Sequence, residues 1–281
     1  MSSLFKYTRK YVGPVRACIL DWSGTTIDKY VLAPALVFVE VFKKHGVAIT
    51  MPEARAPMGV RKDMHIKAIL EMPEVRTKWK SVHGNFPTQA DADKLYGDLV
   101  PMQLGVLLKY TELIPECVGA VDTLRKEFGC KIGVTTGFTR SMVNVLLPEA
   151  KRQGFVPDAD VAGDDVVNGS RPKPFMLYAN LDAMDVPNIQ SVVKVDDTTN
   201  GVEEALSAGC WGVGVARYSN YMNINSLEEE KCLSEAEIKT RLQRTRDILT
   251  KAGAHYVIDT LAELPSVVSD INARLAKGEK P

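Results

Sequence analysis

Five short stretches of this sequence carry residues that could do chemistry. Asp21 closes the apolar run Ala17–Leu20, with Val15 before it, and Ser23-Gly24-Thr25-Thr26 then turns the chain sharply. A carboxylate at the carboxyl end of a buried strand stands where open α/β sheets bind ligands; taken alone, it could equally cap or end an element. Thr135-Thr136-Gly137 follows KIGV, Arg171 and Lys173 stand in NGSRPKPFM, and Asp196-Asp197 follow VVKV. Each has a plain structural reading: a common turn, an exposed segment leading a helix, and a helix N-cap with its dipole partner. Lys62 and His65, in GVRKDMH, are spaced i, i+3 and share one face of a helix. They too could be ordinary surface residues.

These residues need elements to hold them. The run Ala17–Leu20 does not alternate, so its strand is covered on both faces. Pro34 opens a helix through about Lys44, with Gly46 just beyond its end. From Ile49 to about Ile114 the sequence is helical throughout: KDMHIKAILEM, PEVRTKWKSVH and TQADADKLYGDLVPMQLGVLLKYTEL place apolar residues at three- and four-residue intervals. The strand–helix alternation then resumes. Strands are expected at 131–135, 160–162, 192–195, 211–215 and 255–258, and helices at 118–128, 139–153, 172–184, 201–208 and 234–252, with a last helix from Leu261. Ser234 and Glu237 form a capping-box pattern. Repeated βα units imply a doubly wound parallel sheet. The expected organisation is an α/β core, residues 1–30 and 119–281, carrying an inserted all-helical domain at 31–118.

The 281 residues suffice for a sizeable core, and Lys+Arg equals Asp+Glu at 35 each. A neutral chain gives no electrostatic reason to expect nucleic acid or an anionic membrane, and an anionic substrate would depend on a few local charges. No apolar run approaches the roughly 20 residues of a membrane span. The N-terminal MSSLFKYTRKYVG lacks the apolar stretch of a secretory signal. Five scattered cysteines without a CxxC read as buried thiols in a reducing compartment, so the expected location is the cytoplasm.

Taken together and in order, DWSGTTID, KIGVTTG, NGSRPKPFM and VVKVDDTTNG resemble the four motifs of the haloacid dehalogenase-like superfamily. The resemblance implies a Rossmann-like core with a helical cap, Asp21 as nucleophile and Mg2+ ligand, and Thr136, or less favourably Thr135, as the hydroxyl contacting a phosphoryl oxygen beside Gly137. It implies Arg171 as the cation that neutralises transferring charge. Mg2+, which takes hard oxygen ligands, would lie on Asp21, Asp197 and the Ser23 carbonyl, with Asp196 either a direct ligand or one layer out. The superfamily usually has a general acid two residues after the nucleophile. Here that position is Ser23.

ARAPMGVRKDMHIKAIL, with the DWSGTT turn, narrows the resemblance to the phosphonoacetaldehyde hydrolases. That family implies a Schiff base between Lys62 and a substrate aldehyde, with Met58, Gly59 and His65 on the substrate loop and at the proton-handling position. It also implies a homodimer. The departure at Ser23 then has a chemical reason: cleaving a C–P bond calls for an electron sink on carbon, which an iminium on Lys62 supplies, and not for protonation of an oxygen leaving group. Some members have Cys near the start of the cap linker, where this chain has Val31. The rival expectations are a sugar-phosphate phosphatase or phosphomutase of the same superfamily, disfavoured by Ser23 and Lys62, and a non-catalytic phosphonate-binding relative, disfavoured by the full set of Asp21, Thr136, Arg171 and Asp197.

Overall fold

The computed structural model describes residues 11–281; most of the N-terminal stretch read above lies outside them. Six parallel strands form one sheet in the order β3-β2-β1-β4-β5-β6. They are β1 (Ala17–Asp21), β2 (Lys131–Thr135), β3 (Ala159–Val161), β4 (Val192–Asp196), β5 (Trp211–Val215) and β6 (Tyr256–Ile258). All five residues of β1, β4 and β5 are buried, as expected of apolar runs without alternation. The chain winds outward from β1 to β3 and then returns to lay β4 on the other side of β1. The boundary between β1 and β4 is therefore the switch point at which such sheets open a ligand crevice, and Asp21 and Asp196 end the two strands that flank it.

Between β1 and β2 the chain forms α1 (Leu32–Lys44), α2 (Met51–Arg55), α3 (Lys62–Glu71), α4 (Pro73–His83), α5 (Gln89–Leu107) and α6 (Cys117–Phe128). Thr50 and Thr88 cap α2 and α5 with reciprocal bonds to Glu53 and Asp91. The remaining helices are α7 (Arg140–Arg152), α8 (Phe175–Ala183), α9 (Thr199–Ala208), α10 (Leu227–Cys232), α11 (Glu235–Lys251) and α12 (Leu264–Ala276). Two features depart from the sequence reading. The helix expected from Pro172 begins only at Phe175, because Lys173 precedes Pro174 and a residue before proline avoids the helical region. Cys232 is exposed, unlike the other four thiols, because the short helix that carries it buries none of its residues.

Two segments join the α1–α5 helices to the sheet, and they lie side by side. Ile27 and Leu113 form an antiparallel bridge, and Ile114 N–H donates to the Thr26 carbonyl at 2.8 Å. Asp28, Tyr30 and Val31 all have positive φ, at 54°, 65° and 56°. For a β-branched residue such as Val31 this is a strained backbone. Asp28 holds the turn by accepting from the Leu32 and Ala33 N–H groups at 3.0 and 3.1 Å. No described helix is long and apolar enough to cross a membrane.

Candidate active site

The turn after β1 folds around one carbonyl. Trp22 O accepts from the N–H groups of Thr26 and Ile27 at 2.8 and 2.9 Å, and Thr26 Oγ1 bonds the Asp21 and Trp22 carbonyls at 3.0 Å each. Gly24 N–H closes the turn on Ile27 O, leaving the Ser23 carbonyl outside this ladder. Gly24 has a φ of +83°, and a Cβ there would fall 2.6 Å from the Asp197 carboxylate. Glycine is what lets the turn approach the second acid.

Asp21, Ser23, Lys62, Thr136, Gly137, Arg171 and Asp197 line a single cavity together with Met58, Gly59, Val31 and Phe138. The free space within it is about 20 Å³, room for little more than a water molecule. Of the residues singled out from sequence, His65 and Asp196 lie behind this wall. His65 is fully buried, stacks on Phe38 with ring centroids 3.8 Å apart, and donates from Nε2 to the Ala54 carbonyl at 2.8 Å. Its Nδ1 has no partner. Burial, reinforced by the nearby Lys62, keeps its pKa well below the ordinary histidine value. Lys173 points elsewhere, to the Asn168 carbonyl at 3.0 Å.

Arg171 is the hub. One Nη2 lies 2.7 Å from Asp21 Oδ1, Nη1 lies 3.2 Å from Asp196 Oδ2, and Nε lies 3.1 Å from Glu204 Oε2. Nη2 also donates to Thr135 Oγ1 at 2.6 Å. Two partners in this network carried no motif signal. Lys194 reaches Asp196 at 3.0 Å, Glu204 at 3.7 Å and Thr135 Oγ1 at 2.8 Å, and both Lys194 and Glu204 are fully buried. A lysine inside the apolar run VVKV was the available clue, since the strand buries it on both faces and lysine is almost never buried unpaired. Thr135 is thus occupied by two cations, whereas Thr136 faces the cavity and accepts only from Phe138 N–H, at 3.1 Å.

The electrostatics separate the three acids. Burial works against a charged Asp196, but Arg171 and Lys194 beside it more than offset that and hold its pKa below the usual carboxylate value. Its Oδ1 accepts from Thr198 N–H and Thr198 Oγ1 at 3.0 and 2.7 Å, so both oxygens are engaged. Burial, and then the neighbouring Asp196 and Asp21 charges, push Asp197 well up. Burial likewise raises Asp21 to about 6, with Arg171 acting in the opposite direction. Asp197 Oδ2 accepts from Asn220 N–H at 2.8 Å, while Oδ1 has no partner. Burial lowers Lys62 to about 8 despite the attraction of Asp21 and Asp28.

Oxygens of Asp21, Asp196 and Asp197 can come within 4.8 Å of one another. Four acidic side chains (Asp21, Asp196, Asp197, Glu204) are packed around two basic ones (Arg171, Lys194). The crowding of acids that pushes Asp197 up, and its unpartnered Oδ1, fit a divalent cation with oxygen preference, which would favour the ionised carboxylates.

A haloacid dehalogenase-like hydrolase family model matches residues 15–209. The phosphonoacetaldehyde hydrolase of Klebsiella pneumoniae is 42% identical over 268 residues, covering 95% of this chain and 99% of that protein. The enzyme of the same name from Nitratidesulfovibrio vulgaris is 40% identical, with 99% and 98% covered. A crystal structure of a phosphonoacetaldehyde hydrolase-like protein from Oleispira antarctica superposes with a TM-score of 0.94 at 39% identity, covering 99% of this chain and all of that one. With an acid-rich crevice at the β1/β4 switch point and relatives matched end to end, the chain belongs to the phosphonoacetaldehyde hydrolases of the haloacid dehalogenase-like hydrolase family.

Proposed function

We propose that this protein hydrolyses phosphonoacetaldehyde to acetaldehyde and phosphate, with Lys62 and Asp21 acting as two nucleophiles on one substrate. The observation that carries the reading is that a buried lysine on α3 and the carboxylate ending β1 line the same cavity, although 40 residues of helix and turn separate them in sequence. Neutral Lys62 Nζ adds to the aldehyde carbon, and loss of water gives an iminium. Asp21 then attacks phosphorus, and the C–P electron pair moves into the iminium to leave an enamine. Protonation on carbon and hydrolysis release acetaldehyde and regenerate Lys62, and a second water cleaves the aspartyl-phosphate.

The other residues have roles that follow from their contacts. Arg171, fixed by three carboxylates, presents a rigid cation beside Asp21 and offsets phosphonate charge. Thr136 and Gly137 offer a hydroxyl and a backbone N–H to a phosphonate oxygen. His65 stands at the family's proton-handling position, one turn along α3 from Lys62, with its ring held neutral and Nδ1 unpartnered. Met58 and Gly59 close over the aldehyde end. Asp21, Asp197 and the Ser23 carbonyl would hold Mg2+, with Asp196 one layer out because its oxygens are already taken. When bound, the ion supplies positive charge that lets a carboxylate and an anionic phosphonate approach.

The cavity is too small for the substrate, so residues 31–118 act as a cap that opens about the paired linkers near Ile27 and Leu113 and closes over the bound aldehyde. A phosphate-ester hydrolase would want an acid where Ser23 stands, which leaves C–P cleavage the better reading. A cytoplasmic homodimer is the expected form, testable by light scattering. The direct test of the chemistry is incubation with phosphonoacetaldehyde and borohydride. Irreversible inactivation, with the label on the Lys62 peptide, is expected; labelling elsewhere would exclude this mechanism.

A further inference from the structure

Arg55, the last residue of α2, is 4% exposed, yet the acceptors around its guanidinium are all neutral. Nη1 donates to the Tyr30 carbonyl at 2.7 Å and to Asn220 Oδ1 at 3.0 Å. Nη2 donates to the Ile224 carbonyl at 2.7 Å, and Nε to Asn225 Oδ1 at 3.3 Å. Burying a cation is costly unless its donors are satisfied. Here the satisfaction comes wholly from outside the α1–α5 helices: from the strained linker at Tyr30 and from the segment between β5 and α10.

Asn220 is what gives this contact a consequence. Its side-chain amide also donates back to the Arg55 carbonyl at 3.2 Å, and its backbone N–H donates to Asp197 Oδ2 at 2.8 Å. Ser219 Oγ, one residue earlier, bonds the Asp197 carbonyl at 2.8 Å. On the helical side, the Arg55 carbonyl accepts from Met58 N–H at 3.1 Å, and the Met58 carbonyl accepts from Asn200 Nδ2 at 2.7 Å. One residue therefore fixes the cavity-lining Met58 and, through Asn220, the carboxylate whose free Oδ1 faces the acid cluster.

We propose that Arg55 is a positioning residue for the divalent-cation site: by holding Asn220 from the helical segment, it orients Asp197, so that cap closure and ordering of the metal-binding acids are one event. The proposal rests on the cleft reading above for its meaning in turnover, but not for its test. Mg2+ is titrated calorimetrically into the full chain without any phosphonate. Replacing a partner that orients a metal-ligating carboxylate typically weakens metal affinity by about 10–100-fold.

Arg55→Met and Asn220→Ala are each expected to weaken Mg2+ by about tenfold or more, and the double variant to lose little beyond either single one. Arg55→Lys keeps the charge but cannot span four acceptors, so it should behave like Arg55→Met. Mg2+ affinity within about twofold of the unmodified chain in Asn220→Ala, which leaves the arginine in place, would overturn the proposal even if Arg55→Met fails to fold. Full affinity in Arg55→Lys would overturn it as well, since charge alone would then suffice. A lowered melting temperature with unchanged Mg2+ affinity would reduce Arg55 to a structural contact. Failure of borohydride trapping at Lys62 would leave these titrations untouched, so the two ideas fail separately.

Discussion

The Lys62 Nζ lies 4.6 Å from the centre of the Phe138 ring, and the Phe38 ring is 5.6 Å away on another side. An amine between two aromatic rings, 4% exposed, has little water to stabilise its charge. Cation–π attraction favours the ammonium by about 1–2 kcal/mol at such a site, but desolvation is larger, and the balance is a pKa lowered to about 8. Only the neutral amine is nucleophilic, and its fraction rises as pH rises. At pH 7 roughly a tenth is neutral, against well under a thousandth for an ordinary lysine. The rate of borohydride trapping should therefore climb with pH and level off above about 8. A trapping rate still rising steeply above pH 9 would mean that the site does not depress Lys62.

Asp21→Asn tests the other nucleophile. The amide is nearly isosteric and keeps the strand end intact, but it cannot attack phosphorus and it removes one negative charge next to Arg171. Phosphate release is expected to fall by at least about 10³-fold with the circular dichroism spectrum unchanged. Imine formation at Lys62 should persist in this variant, because the aldehyde does not need Asp21. A variant that releases phosphate at a rate near the unmodified one would assign the phosphoryl step to another group.

Chelation should abolish turnover while leaving secondary structure in place, because the sheet does not depend on a metal for its packing. Mg2+ should in turn raise the unfolding temperature, since an ion that binds only the folded state stabilises it by mass action. Asp197→Ala should eliminate most of that stabilisation, and Asp196→Ala should lower protein stability itself by leaving Arg171 and Lys194 short of a partner. Equal Mg2+ affinity in Asp197→Ala and the unmodified chain would remove Asp197 from the ligand set.

The strand-end acids were legible because each follows an apolar run, which without alternation has few structural outcomes, and the RPKP segment only through its place in the order of the four motifs. The reach of the network was not. Lys194 and Glu204 lie on β4 and α9 and meet only when the sheet closes, so neither spacing nor periodicity marks them as partners of Arg171. Lys62 was visible through the surrounding pattern PMGVRKDMH, not through its own chemistry, since most lysines are on the surface. Arg55 lies within the quoted ARAPMGV stretch, but nothing in its spacing singled it out. Its acceptors are a linker carbonyl and a loop some 165 residues away in sequence, a relationship that only the folded chain creates.

Lys194→Met separates the scaffold of the site from its chemistry. Lys194 touches no part of the cavity; it pairs with Asp196 and Glu204 and bonds Thr135 Oγ1. Breaking a buried ion pair by removing one partner costs about 3–5 kcal/mol, because the carboxylates left behind stay desolvated. Denaturant unfolding should show a loss of this order, while the Lys62 amine, far from β4 in sequence and on α3 in the fold, should still be trapped by borohydride. Unchanged stability in this variant would mean that Arg171 alone neutralises Asp196 and Glu204.

The decisive variant is Lys62→Arg. Arginine keeps a positive charge at the same place on α3 but cannot form an imine with an aldehyde, since its guanidinium is protonated at every accessible pH. If the lysine served only to attract the phosphonate, the variant would keep much of its activity. If the lysine is the electron sink, C–P cleavage should fall by several orders of magnitude, because the carbon then has nowhere to place the bonding pair. Binding of inorganic phosphate, read by calorimetry in the presence of Mg2+, should survive, as Arg171, Thr136 and the metal acids are untouched. The two readouts separate, one lost and one kept, only for a covalent role. Retained cleavage in Lys62→Arg would leave Asp21 as the sole nucleophile and return the protein to ordinary phosphoryl chemistry, whereas a borohydride label on Lys67 or Lys173 would move the imine to another lysine.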